Sequence, residues 1–210
     1  MSIIEQILEK TIAGNMPEVE ELTNQAISEG IAPDAIIQNG LIEAMTIVGD
    51  RFKKSKIYVP EMLIAARAMK ASLAILKPLM AGEEVKSLAK VVIGTVKGDL
   101  HDIGKNLVSI MMEGAGVEVI DLGVDIAPEK FLEAVKIHRP QFLAMSALLT
   151  TTMPNLETTI DVLKEAGVDQ NLRVIIGGAP VTQKFADEIG ADGYADNAAT
   201  AVDVIKSLLQ

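Results

Sequence analysis

The sequence predicts an α/β protein in two parts, a bundle of four helices followed by a doubly wound parallel sheet of five strands. Three observations predict it. Through the first eighty residues, apolar side chains recur at helical spacing. From Lys90 onward they gather instead into short runs rich in Val and Ile. Those runs alternate with helical stretches, the pattern of a parallel sheet covered on both faces.

The elements follow in order. Ile3, Ile4, Ile7, Leu8 and Ile12 line one face of a first helix. The second opens at Asn15, a capping residue type, with Pro17 in its first turn, and closes on Gly30. A third runs from Pro33 to about Lys54 with its stripe at Ile37, Leu41, Ala44, Met45, Val48 and Phe52. A fourth runs from Pro60 to about Met80 through Met62, Leu63, Ala66, Met69, Leu73 and Leu76. Residues 81–90 are short and polar and read as a linker and candidate hinge, between domains at 1–85 and 90–210. Then come the runs "KVVIGT", "VEVIDLG", "QFLAMSA" and "LRVIIGG", with "DGYAD" as a weaker fifth strand. Helices near 103–115, 128–138, 155–166 and 181–190 separate them, and a last one reaches about Leu209. Five such units suit a flavodoxin-like, Rossmann-type sheet.

Composition narrows the function. Of 210 residues, 49% are hydrophobic and 23% charged, enough to bury a sizeable core. A net charge of −10 argues against a nucleic-acid surface. Cysteine is absent, which removes disulfides, thiolate-bound zinc and iron–sulfur clusters and fits a cytoplasmic protein. Glutamates interrupt the apolar residues of "MSIIEQILEK", so the first ten residues are read as neither a signal peptide nor a membrane span.

Ligands of such sheets bind beyond the C-terminal strand ends, where strand order reverses. For the order 2-1-3-4-5, that point lies between strands 1 and 3. The loops there are "VKGDLHDIG", "SALLTTTMP" and "GGAP". Each has an ordinary reading: Asp99 or Asp102 as a helix cap, Gly104 as a packing glycine, the hydroxyl run as a helix entry, Gly177-Gly178 as a turn. Their convergence on one edge favours a site. The first loop lacks both G-x-G-x-x-G and the Lys-Ser/Thr of a phosphate loop. It lacks the hydroxyls of a flavin loop, and Asp99 lies too far past the strand for a phosphoacceptor. What remains is a histidine beside an orienting carboxylate, and one histidine holds no bare metal ion, so its partners would come from a macrocycle. The other histidine, His138, ends a helix before Pro140 and is read as taking no part.

Asp99-x-His101-x-x-Gly104, Ser146-x-Leu148 and Gly177-Gly178 together resemble the signature of cobalamin-binding domains that hold the cofactor base-off, with histidine on cobalt. "VGDRFKKSKIYVPEMLIAARAMKAS", Val48 to Ser72, resembles the helical cap of methyl-carrying corrinoid proteins and of cobalamin-dependent methionine synthase. The resemblance implies a cobalamin or related corrinoid, with His101 as the lower cobalt ligand and Asp99 bonded to its far nitrogen. Thr152 stands where methionine synthase completes that relay with a serine. Asp102 and Ile103 would border the cofactor, Asp102 chiefly by starting the helix, and Gly104 would leave room for the nucleotide tail. Ser146 and Thr150 would bond the tail or the corrin edge, Leu148 would pack on the nucleotide base, and Gly177 and Gly178 would let the backbone approach. Phe52, Val59 and Met62 would cover the upper face. Ser55 and Asn197 depart from the pattern, since relatives often carry Gly and Asp there.

The implied function is a methyl shuttle on cobalt. The methyl group would come from methanol, a methylamine, a methyl ether or a similar donor through a substrate-specific methyltransferase. A second methyltransferase would pass it to tetrahydrofolate or coenzyme M, and a reductive activator would restore the cobalt. The protein would be a component of that system, with no nucleic-acid or membrane partner. Two rivals share the binding motif. A mutase component would need a separate barrel subunit, and a cobalamin sensor would need a basic DNA-binding module that this acidic chain lacks.

Overall fold

The computed structural model describes residues 1–80, 87–168 and 171–210. The chain divides into two compact units, Met1–Ser87 with Gly114–Gly116, and Leu88–Glu113 with Val117–Gln210. Most of the linker expected at 81–90 lies outside the described residues.

The first unit is helical. It comprises α1 (Ile3–Ile12), α2 (Met16–Ser28), α3 (Pro33–Ile36), α4 (Glu43–Lys53) and α5 (Val59–Leu76). Ser2 starts α1 with a capping box, exchanging bonds with Glu5. Asn15 holds the capping position of α2, yet its carboxamide donates to Glu18 instead of accepting a helix N–H. The third predicted helix is not one regular helix. A π-helical stretch, Ile37–Ile42, joins α3 to α4, and the Glu43 N–H reaches back to Gln38 O. Gly40 lies in this stretch, where a Cβ would come within 3.2 Å of Ile7 on α1. Apolar periodicity alone does not distinguish this widened turn from a regular one. The fourth helix also ends early, with Lys77–Met80 tightening into a 3₁₀ turn. Ile7, Val19, Ala26, Ile36, Leu41 and Met69 are buried. A hydroxyl pair, Thr23 with Ser72 at 2.7 Å, links α2 to α5.

Ser55 follows α4 at φ 53°, in the left-handed region. The Lys56 N–H donates to Arg51 O and the Ser55 N–H to Phe52 O, the bonds of a Schellman end. That position favours glycine, the residue the resemblance led one to expect there.

The second unit is the expected sheet. Its strands are β1 (Lys90–Thr95), β2 (Glu118–Asp121), β3 (Phe142–Ser146), β4 (Arg173–Gly177) and β5 (Gly193–Ala195). All pairings are parallel and the order is β2-β1-β3-β4-β5. The helices are α6 (Ile103–Gly114), α7 (Pro128–His138), α8 (Pro154–Glu165), α9 (Gln183–Ile189) and α10 (Ala198–Leu208). Val92, Leu143, Met145, Val174 and Ile176 face Phe131, Val135, Leu156, Ile160 and Ala186 in one buried cluster. Each such aliphatic side chain contributes about 1.5–3 kcal/mol by leaving water. The right-handed crossover from β1 to β2 places α6 on the opposite face. Asn197 caps α10 by accepting from the Ala199 and Thr200 N–H groups, both at 2.9 Å, work that an aspartate would do equally.

Thr95 and Ser146 are paired in register at the C-terminal ends of β1 and β3. Strand order reverses between these two strands, so the loops that follow them meet at one crevice.

Candidate functional site

The site is built on the loop between β1 and α6. Asp99 is fully buried, and each of its carboxylate oxygens is bonded. Oδ2 accepts the Thr152 hydroxyl at 2.7 Å, the Leu148 N–H at 2.7 Å and the Leu149 N–H at 3.3 Å. Oδ1 accepts the His101 N–H at 3.1 Å and lies 2.7 Å from His101 Nδ1. Burial alone would raise the carboxyl pKa. The Thr152 hydroxyl, the Leu148 N–H and both His101 groups outweigh it, holding Asp99 well below the usual carboxylate range. The carboxylate is therefore an ionised, acceptor-only group. It orients the imidazole with Nδ1–H toward Asp99 and the Nε2 lone pair away from it.

His101 itself is half exposed, with 50% of its side chain open to solvent. Its carbonyl accepts the hydroxyl of buried Thr95 at 2.9 Å, so the end of β1 also holds the segment. Around it stand four exposed apolar side chains, Leu100, Ile103, Leu148 and Leu149. Leu100 and Ile103 are 72% and 78% exposed, a cost in water that an apolar ligand face would remove.

The structure gathers Asp99, His101, Thr152 and the Leu148 backbone into one bonded centre. Ser146 stands beside it at the end of β3, and Thr150 is exposed on the turn between Leu148 and Thr152. Asp102 accepts the Asn106 side chain at 3.0 Å, and its carbonyl takes the Asn106 N–H at 2.8 Å, the work of a helix-start residue. Gly104 has empty space where a Cβ would be, with nothing within 4 Å. Gly177 and Gly178 are different. A Cβ on Gly177 would lie 2.7 Å from Ala195 O, and one on Gly178 would lie 1.9 Å from Ala147 O. Both are thus required by the packing of neighbouring backbone, before any ligand is considered. In the helical unit, Met62 is buried while Phe52 and Val59 are half buried.

Sequence reasoning missed Thr95, Lys105, Asp121 and Asp125. Lys105 is only 3% exposed and pairs with Asp121 at the end of β2. A lysine four residues past His101, in the first turn of the helix, was the available signal.

A half-exposed histidine oriented by a buried carboxylate thus stands at the switch point of a doubly wound sheet, with exposed apolar side chains beside it. The comparisons identify the group. A family described as the B12 binding domain matches residues 89–203, and another of the same description matches residues 3–77. The chain is 44% identical over 193 residues to trimethylamine corrinoid protein 2 of Methanosarcina acetivorans, covering 91% of this chain and 89% of that one. It is 39% identical over 212 residues to a corrinoid protein of Desulfitobacterium hafniense, covering 100% of this chain and 98% of that one. Among solved structures, the methanol:cobalamin methyltransferase complex MtaBC of Methanosarcina barkeri contains a similar chain, with a TM-score of 0.91 and 31% identity. That match covers 99% of this chain and 79% of the other. The chain belongs to the B12-binding corrinoid proteins.

The site suits a corrinoid on its own geometry. A macrocycle needs an apolar, accessible platform with one ligand nitrogen at its centre, and a nucleotide tail needs an open slot. The four exposed apolar side chains and His101 Nε2 would fit such a platform, and nothing within 4 Å of a Gly104 Cβ would obstruct the tail.

Proposed function

We propose that the protein carries a methyl group between two methyltransferases, with His101 as the lower cobalt ligand. One observation carries this reading. The fully buried Asp99 takes up His101 Nδ1 at 2.7 Å, which leaves Nε2 as the free donor of an accessible ring. Among the described residues no group of three His, Asp or Glu side chains is placed to hold a bare metal ion. A single histidine therefore suits a metal whose other ligands come with the cofactor. When bound, the corrinoid supplies a cobalt centre that accepts and releases the methyl group.

The chain's own residues then have defined tasks. Asp99 fixes the ring tautomer and keeps Nε2 turned away from itself. Thr152 and the Leu148 N–H hold the carboxylate in place. Gly104 leaves room for the tail, Ser146 and Thr150 bond it or the corrin edge, and Leu148 packs on the base. Residues 1–85 form the cap domain and residues 90–210 the cofactor domain, with Phe52, Val59 and Met62 shielding the reactive face. The relatives' names support methylamines or methanol as donor class. The acceptor would be tetrahydrofolate or coenzyme M, reached through the second methyltransferase, with a reductive activator restoring the cobalt in the cytoplasm. No helix among the described residues is long and apolar enough to cross a membrane.

The test is His101→Ala in cobalamin-loaded protein. Loss of the axial nitrogen should shift the visible spectrum of the Co(III) form, and an unchanged spectrum would remove the ligand assignment.

A further inference from the structure

The segment Gly98–Lys105, which carries His101, is gripped at both ends by the last residue of β2 and the loop that follows it. At the upstream end, the Gly98 N–H donates to Asp125 Oδ1 at 2.7 Å, and the Asp125 N–H donates to Asp99 O at 3.0 Å. At the downstream end, the buried Lys105 ammonium pairs with Asp121. Asp121 Oδ1 also accepts the Gly123 N–H at 2.8 Å. Gly123 O in turn accepts the Thr95 N–H at 3.0 Å, and the Thr95 hydroxyl holds His101 O. The short stretch from Asp121 to Asp125 thus reaches both ends of the histidine segment and, through Thr95, its middle.

Two features show that this arrangement is costly to keep. Asp125 sits at φ 56°, in the left-handed region that an L-residue adopts at a cost, though aspartate less than most. Burying the Lys105 ammonium is a second cost, and an apolar side chain of similar size would avoid it. Neither is needed to fill the core. Both make sense if the loop specifies where the histidine segment sits.

We propose that Asp121, Asp125 and Lys105 are positioning residues that set how far His101 reaches, and so the fraction of protein in which it ligates cobalt. The proposal rests on His101 as ligand. It adds that orientation by Asp99 is insufficient unless the β2–α7 loop fixes the backbone on either side.

The experiment uses the full chain labelled with ¹⁵N-histidine and loaded with Co(II) cobalamin. In the paramagnetic resonance spectrum, a histidine ligand splits each cobalt line into a doublet, whereas the cofactor's own base gives a triplet. Asp125→Gly accepts the left-handed backbone but lacks the clamp. It should lower the doublet-to-unligated ratio at least threefold, and Lys105→Met should do the same. Asp125→Asn keeps both the backbone preference and an acceptor for Gly98, and should stay near the parent. In the cofactor-free chain, amide exchange at Gly98 should quicken at least tenfold in Asp125→Gly only. A parent doublet that persists unchanged in Asp125→Gly and Lys105→Met overturns the proposal, as does an Asp125→Asn loss equal to that of Asp125→Gly. Absence of the doublet from the parent instead overturns the ligand reading, and the proposal with it.

Discussion

Asp99→Asn tests the centre of the site most sharply, because the change is nearly isosteric and its consequences differ at each oxygen. Three donors meet Oδ2 and two meet Oδ1. An asparagine keeps its carbonyl where three donors converge and turns its NH₂ toward His101. The His101 N–H then faces another donor, and Nδ1 must become an acceptor, which moves the ring proton to Nε2. Two charge-assisted bonds worth about 1.5–3 kcal/mol each are lost, and one neutral bond of about 1 kcal/mol is regained. Solvent at the half-exposed ring favours the low end. The expected cost is about 2–4 kcal/mol, measured by urea denaturation of the cofactor-free chain, with imidazole ¹⁵N shifts reporting the tautomer. The sign with pH follows from the depressed carboxyl. The Asp99 contribution is fully present above the unfolded value of about 3.9 and is lost only as pH falls through the lower folded value. Measured in a His101→Ala background, the stability gap that Asp99→Asn opens should be flat from about pH 8 to about pH 5. A cost under about 0.5 kcal/mol, or a gap that closes across that range, would refute the reasoning.

Gly104→Ala should stabilise the cofactor-free chain by about 0.5 kcal/mol, since alanine is the better helix residue and its methyl meets nothing. The same change should weaken cobalamin binding at least tenfold by titration, and unaltered affinity would mean that nothing approaches there. Gly178→Ala should cost about 3–5 kcal/mol in the cofactor-free chain, because φ is 126° and the added carbon meets Ala147 O at 1.9 Å; a melting temperature within about 2 °C of the parent would contradict that crowding. Ser55→Val should destabilise by about 1–2 kcal/mol, as a branched side chain is forced to φ 53°; Ser55→Gly serves as the control and should not lower the melting temperature.

Much of this architecture was legible because it depends on periodicity. The change from helical spacing to short apolar runs at Lys90 marks the first strand, and five βα units suit the doubly wound order β2-β1-β3-β4-β5 that the sheet adopts. Asp99 and His101 were legible as a pair because they are local in sequence. The π-helical stretch at Ile37–Ile42 was not, since one widened turn leaves the apolar stripe intact. Nor was the convergence of the Leu148 and Leu149 N–H groups on Asp99, because backbone donors carry no residue signature. The Lys105–Asp121 pair was missed for another reason. Sixteen residues separate its members, and a charged residue on a helix is ordinarily taken as solvated.

The three motif glycines illustrate how structure separates two reasons for one residue type. All three were read from sequence as making space for a nucleotide tail. At Gly177 and Gly178 the space is already filled by the carbonyls of Ala195 and Ala147, so the sheet's own packing requires glycine whether or not a cofactor is bound. At Gly104 the protein offers no such reason. The residue lies in the first turn of α6, its backbone is not left-handed, and nothing stands where a Cβ would go. A glycine there lowers helix stability without any return in packing. No packing among the described residues asks for glycine there, and the open space beside the first turn of α6 is what the Gly104→Ala titration probes.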